Sequence, residues 1–174
     1  MPATRQLFVL RHAKSSWEDT GLNDHDRPLA PRGRKAVKAL AEHVRSADIE
    51  PVLVLCSSSR RTRETLEGVK PSGKWTIEPE LYDAGPTTIV DRLRCVPEDT
   101  SSVMVIGHNP ALQMLVLRLA GSGNGQAEGD LAEVQRKFPT GALATLEFDC
   151  HWDLLGPGCA RLTAYVKPKQ LTVG

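Results

Sequence analysis

Two histidines of this sequence stand just past apolar runs shaped like buried strands: His12 in "LFVLRHAKS" (residues 7–15) and His108 in "SSVMVIGHNPALQ" (residues 101–113). Arg11 immediately precedes the first of them. A third apolar run, "VLVLC", leads into "SSSRRTRET", where Ser57, Ser58 and Ser59 can cap a helix whose first turn would carry Arg60 and Arg61. Cations in a first turn oppose the helix dipole, and a bound anion would restore the balance. After His108, Asn109 reads as an N-cap and Pro110 as a first helical residue, which would aim the backbone N–H groups of Ala111, Leu112 and Gln113 at the same space. Arginine forks, helix N-termini and two imidazoles together suit a tetrahedral oxyanion, above all a phosphoryl group. Neutral imidazole can itself attack phosphorus to give a phosphohistidine intermediate, while arginines neutralise the equatorial oxygens in both steps.

Other chemistries lack their residues. The sequence has no G-x-x-x-x-G-K-[ST], no G-x-G-x-x-G and no paired acidic Mg²⁺ ligands, which argues against nucleotide and dinucleotide sites. Cys56, Cys95, Cys150 and Cys159 form no C-x-x-C pair, and the five histidines include no H-E-x-x-H, so no metal and no cofactor is expected. The cysteines read as reduced thiols used mostly in packing. Lys and Arg total 22 against 21 Asp and Glu, a net charge of +1 that offers no long-range field for nucleic acid or a membrane surface. No apolar run approaches the roughly 20 residues that span a bilayer, and "MPATRQLFVLRHAKSS" has too short an apolar centre for a signal peptide, so a cytoplasmic location is expected.

These side chains need a scaffold that brings strand ends together. "QLFVL" (6–10), "PVLVLC" (51–56), "VMVIG" (103–107), "ALATLEF" (142–148) and "ARLTAYV" (160–166) read as strands, with "KWTIE" (74–78) a weaker sixth. Between them, residues 31–47 place Val37, Leu40, Ala41 and Val44 on one helical face, and residues 60–69, 86–96 and 109–121 also read as helices. Such alternation implies an α/β fold: a three-layer sandwich whose mostly parallel sheet is flanked by helices, with an antiparallel return between the last two strands. In open sheets of this kind, ligands sit beyond the carboxyl ends of the strands, which is where both histidines fall. The glycine-rich segment 121–139 is expected to form a mobile flap, and all 174 residues to form a single domain.

"LRHA", "SSSRRTRET", "GHN" and "FPTGALATLEF", in that order, resemble the histidine phosphatase (phosphoglycerate mutase-like) superfamily over about residues 6–148, and "DRPLAPRG" with the short length resembles its SixA-type phosphohistidine phosphatases. The resemblance implies that His12 is the phosphorylated nucleophile, that Arg11 holds the phosphoryl group and that His108 is the second pocket histidine. The family spacing S-x-x-x-R-x-x-x-T fits Ser57, Arg61 and Thr65, which makes Arg61 the pocket residue and Arg60 its neighbour. Arg27 matches an arginine that SixA-type proteins direct into the pocket. Two positions depart from the pattern. The usual glycine after the nucleophile is Ala13, and the place of the superfamily's general acid, two residues after a leucine, holds Asp83 with Glu80 nearby, whereas SixA-type proteins commonly lack a clear acid.

The function expected is a metal-independent phosphatase acting on phosphohistidine in a protein or on a small phosphorylated metabolite, with phosphate or sulfate able to fill the pocket. Asn109 is expected among the phosphate-binding groups. A weak acid favours P–N over P–O cleavage, because imidazole leaves more readily than an alkoxide. The alternatives are a non-catalytic phosphate-binding module and a phosphomutase-like small-molecule enzyme.

Overall fold

The structure is a computed structural model that describes residues 3–121 and 129–171. Six strands form one sheet: β1 (Arg5–Arg11), β2 (Leu53–Ser57), β3 (Lys74–Glu78), β4 (Ser102–Gly107), β5 (Leu143–Phe148) and β6 (Ala160–Val166), in the order β3-β2-β4-β1-β5-β6. The pairs β2/β3, β2/β4 and β1/β4 are parallel, whereas β5 is antiparallel to both β1 and β6. Five strands thus share one direction and β5 alone opposes them, which is the mostly parallel sandwich expected.

Both sheet faces are covered, which is why the central strands are continuous apolar runs rather than alternating ones. Leu7 and Val9 of β1, with Val103 and Val105 of β4, pack on one side beneath α3 (Pro86–Arg94), α4 (Ala111–Ala120) and α5 (Asp130–Arg136). Phe8, Leu10, Met104 and Ile106 face the other way, against α1 (Pro31–Ser46) and α2 (Arg60–Val69). The buried face of α1 includes Val37, Leu40 and Val44, the stripe its 3- and 4-residue spacing predicts. A short α6 (Pro168–Leu171) follows β6.

Two expectations need correction. The helix read over 109–121 begins at Ala111, with Pro110 in the cap position instead of the first turn. The glycine-rich stretch read as a flap is only partly so placed: residues 130–136 form α5, Phe138 is buried and stacks on Tyr165, and residues 122–128 lie outside the described residues. The cysteines are free thiols as read: Cys56 is buried, Cys95 exposed, and Cys150 and Cys159 pack against the core with Sγ atoms 3.7 Å apart across the β5/β6 return. No described helix is long and apolar enough to cross a membrane.

Candidate active site

Sheet register brings the two histidines together. Arg11 of β1 pairs with Gly107 of β4, and the His12 amide donates to the Gly107 carbonyl at 3.1 Å, so the residue after each strand end faces its counterpart. The imidazole centroids lie 5.3 Å apart. Because β2 is the other neighbour of β4, Ser57 and the start of α2 complete the same end of the sheet. Ser59 caps α2 by accepting from the Thr62 amide, which leaves Arg60 and Arg61 in the first turn as read. Thr65, one turn on, accepts from the Ala13 amide at 3.1 Å and donates to the Arg61 carbonyl, tying α2 to the segment after His12. From the opposite side α1 approaches so closely that a Cβ on Gly33 would lie 2.1 Å from the Lys14 carbonyl oxygen; only a glycine fits there.

His12 is buried, and its ring is oriented by one bond. A carbonyl can only accept, so the 2.7 Å contact between Nδ1 and the Ala13 oxygen makes Nδ1–H the donor and leaves Nε2 with its lone pair. Nε2 has no hydrogen-bond partner among the described residues. Burial, more than any neighbour, pushes the His12 pKa down to about 3, and the charges of Arg61 and Arg11 act in the same direction. His108 differs in its partners. Nε2 contacts the Ser57 hydroxyl at 2.8 Å and Nδ1 faces Arg61 at 3.5 Å, while burial and then Arg61 lower its pKa to about 4.

Three guanidinium groups surround this pair. Arg11 donates to the Phe138 carbonyl at 3.0 Å, and burial and then the charge of Arg61 lower its pKa. Arg61 donates to both the carbonyl and the carboxylate of Asp24, at 2.8 and 2.9 Å. Arg27 reaches the same carboxylate at 3.1 Å and lies 3.4 Å above the ring of Trp17, a side chain 71% exposed at the rim. Among the described residues the Nε atoms of Arg11 and Arg61, like that of Arg5 at the start of β1, are buried without a hydrogen-bond partner, and the first two flank the histidine pair. Arg60 turns outward to Glu64 instead. Three arginines against one carboxylate leave about two positive charges, close to the −1.5 to −2 of a phosphoryl group near neutral pH.

Asp24 and Tyr82 were not found by sequence reasoning. The Tyr82 hydroxyl donates to Asp24 Oδ2, and its ring packs edge-on against both His108 and His25. With Tyr82 first among the causes and Arg61 next among those that lower it, the Asp24 pKa falls to about 2, so this carboxylate stays ionised and orients the arginines instead of donating a proton. Its place three residues before Arg27 in "NDHDRPLA" was a usable signal, yet Asp26, adjacent to Arg27, is closer still in sequence.

Two expected site residues fare differently. Asn109 does stand beside His108, but its amide donates to the Phe138 carbonyl at 3.1 Å and its Oδ1 accepts from the Gln113 amide at 3.1 Å. The Leu112 amide is likewise taken by the His108 carbonyl. The reading of this helix start as a phosphate cradle is therefore corrected: the chain itself uses Asn109 and two of the three amides in question. Asp83 is exposed and lines a cavity of about 330 Å³ with Tyr82, His108 and Met114, while Glu80 is exposed outside that lining. Among the described residues, one trio has metal-donor atoms in mutual reach, Glu98, His151 and Asp153, all exposed and at the amino end of β1, where Arg5 already pairs with Glu98.

Known proteins resemble this chain in sequence and fold. A family model for the histidine phosphatase superfamily (branch 1) matches residues 7–85. A solved structure from Nakamurella multipartitia, provisionally assigned as a phosphohistidine phosphatase SixA, is 32% identical and superposes with a TM-score of 0.85, covering 97% of this chain and 99% of its own. The protein histidine phosphatase SixA solved in complex with tungstate is 25% identical, with a TM-score of 0.75 over 96% of this chain and 99% of its own. The phosphohistidine phosphatase SixA of Escherichia coli is 28% identical over 83% of this chain and 86% of its own. With a strand-end histidine pair, an arginine cluster and relatives that match nearly end to end, the chain belongs to the histidine phosphatase superfamily, on its SixA-like side.

Proposed function

We propose that this phosphatase hydrolyses phosphohistidine carried by a protein, through a covalent phosphoenzyme on His12, with no metal ion required. The observation that carries the reading is the His12 ring, whose Nδ1–H is held by the Ala13 carbonyl and whose Nε2 lone pair is left among arginines with unpartnered buried donors. Nε2 attacks phosphorus as the P–N bond of the substrate breaks, and the departing imidazole keeps the bond pair after its ring has taken a proton. The leaving group is an imidazole, far less basic than an alkoxide, so the transfer asks little of a general acid. Water then attacks the phosphoenzyme, His12 regains its lone pair, and phosphate leaves.

Arg11, Arg27 and Arg61 stabilise the equatorial oxygens in both steps, and Asp24 holds two of them in place. His108, held neutral by burial and Arg61, gains basicity beside a bound dianion and can then donate to it. Asp83 lines the cavity beside His108 and serves as proton donor only where a poor leaving group demands one. Tungstate, bound by the SixA relative, is itself a tetrahedral oxyanion, which supports the same ligand chemistry here.

Rapid-quench labelling tests the reading. In EDTA, wild type should hydrolyse para-nitrophenyl phosphate and a phosphohistidine peptide and trap an acid-labile, base-stable phosphoenzyme on His12. His12→Ala should abolish the label, whereas His108→Ala should slow turnover while some label remains. Label on His108 or on a serine in the His12 variant overturns the assignment.

A further inference from the structure

Beside the pocket lies a groove that the chemistry above does not use. Lys14, Arg32, Lys35 and Lys169 line a cavity of about 540 Å³ together with Thr140 and Pro168. All four cations are exposed, and none forms an ion pair with a carboxylate among the described residues, although most other arginines near the site do. In a chain of net charge +1 this is a local concentration of charge, not a reflection of composition.

The groove belongs to the catalytic end of the sheet. Lys14 is two residues from His12, hence within ~7 Å along the backbone. Its carbonyl accepts from the Ala30 amide at 2.9 Å, just before α1 opens with Pro31 and Arg32, and lies against Gly33. Thr140 precedes Gly141, whose amide donates to the carbonyls of both Arg11 and His12, at 3.1 and 2.9 Å. Lys169, on α6, closes the far wall. An extended segment leaving the phosphorylated residue at His12 therefore meets these cations within its first few residues.

The geometry points to this groove as a docking surface for an acidic segment of the protein substrate, close in sequence or space to its phosphohistidine. Four separated charges on three elements fit several carboxylates spread along a chain better than one compact anion, which would need a converging fork. Nucleic acid fits less well, because no aromatic side chain lines the groove to stack a base. The inference rests on the phosphohistidine-protein reading of the neighbouring pocket.

Two synthetic peptides carrying phosphohistidine, one followed by a run of glutamates and one by glutamines, test it. Wild type should favour the acidic peptide about tenfold in kcat/KM at low salt, and the preference should vanish near 1 M NaCl, where the screening length is ~3 Å. The charge-reversed variant Arg32→Glu/Lys35→Glu/Lys169→Glu, and the milder Arg32→Gln/Lys35→Gln/Lys169→Gln, should lose the preference while para-nitrophenyl phosphate turnover stays unchanged. A preference retained by both variants refutes the groove. Fluorescence anisotropy with the unphosphorylated glutamate peptide decides it independently: binding lost in both variants supports the groove, and binding equal to wild type refutes it. Tighter binding of a thymidine oligonucleotide than of the peptide also refutes it. If para-nitrophenyl phosphate is hydrolysed but neither phosphohistidine peptide is, the phosphohistidine reading fails, and the anisotropy result still stands on its own.

Discussion

Acidification tests whether His12 is held neutral, the condition on which its nucleophilicity depends. Its pKa in the fold is about 3, against an ordinary 6.5, so below pH 6.5 the unfolded chain binds a proton that the folded site refuses. Folding stability is then unaffected by this group above pH 6.5 and falls as pH drops across the window from 6.5 to about 3. A full proton of difference is worth ~1.4 kcal/mol per pH unit. From about pH 7.5 to about pH 5.5 the unfolded imidazole goes from roughly one-tenth to roughly nine-tenths protonated, and the integrated loss is ~1.4 kcal/mol. That figure depends little on the folded value, provided it lies well below the acid end of the range. His108, at about 4, adds a similar loss, so the pair removes ~3 kcal/mol over the range. For a chain of this size each ~1 kcal/mol moves Tm by roughly 2–4 °C. Urea unfolding in phosphate-free buffer at the two pH values, for wild type and His12→Asn, isolates the His12 share, since all other titrating groups are common to both. The variant should lose ~1.4 kcal/mol less than wild type on acidification. Equal losses would mean that His12 takes up its proton in the fold and is a cation near pH 6, which would refute the neutral nucleophile.

Isothermal titration with tungstate should show affinity falling ~10–100-fold in Arg61→Ala, the loss expected for charged hydrogen bonds, while Arg60→Ala, which removes only a surface pair, changes it less than about threefold; the reverse order would exchange their roles. Asp83→Asn should slow hydrolysis of glycerol phosphate by ~10²-fold or more, yet leave phosphohistidine turnover within about threefold, as leaving-group basicity dictates; equal effects on both substrates would give Asp83 a structural role. Gly33→Ala drives a Cβ into the Lys14 carbonyl, so it should cost ~1–3 kcal/mol in urea unfolding and lower kcat by displacing the segment that carries His12; unchanged stability and turnover would show that α1 does not set this segment's position.

Much of the catalytic end was legible because its residues lie at strand ends, where local patterning is strong. An apolar run that stops at Arg11-His12, another that stops at His108, and a serine-capped helix that opens on two arginines each announce themselves within about a dozen residues, and the helical face of α1 follows from the spacing of Val37, Leu40 and Val44. The choice of Arg61 over Arg60 came from the resemblance to the family spacing S-x-x-x-R-x-x-x-T, which fits Ser57, Arg61 and Thr65. The strand order was not legible, because hydrophobic runs state that a strand is buried without naming its neighbours; that β5 lies antiparallel beside β1 is a property of the sheet. Long-range polar contacts were hidden for the same reason. Asp24 meets Arg61 across 37 residues of chain and Tyr82 across 58, and no periodicity connects them. Asn109 shows the converse, a residue whose local signal was correct for a helix start but whose donors the Phe138 carbonyl had claimed, 29 residues away. The sequence alone singled out the strand-end histidines and the arginines beside them as candidates for one site. Only the tertiary structure decided their charge states and partners, because burial and the nearest opposite charge are set by elements far apart along the chain.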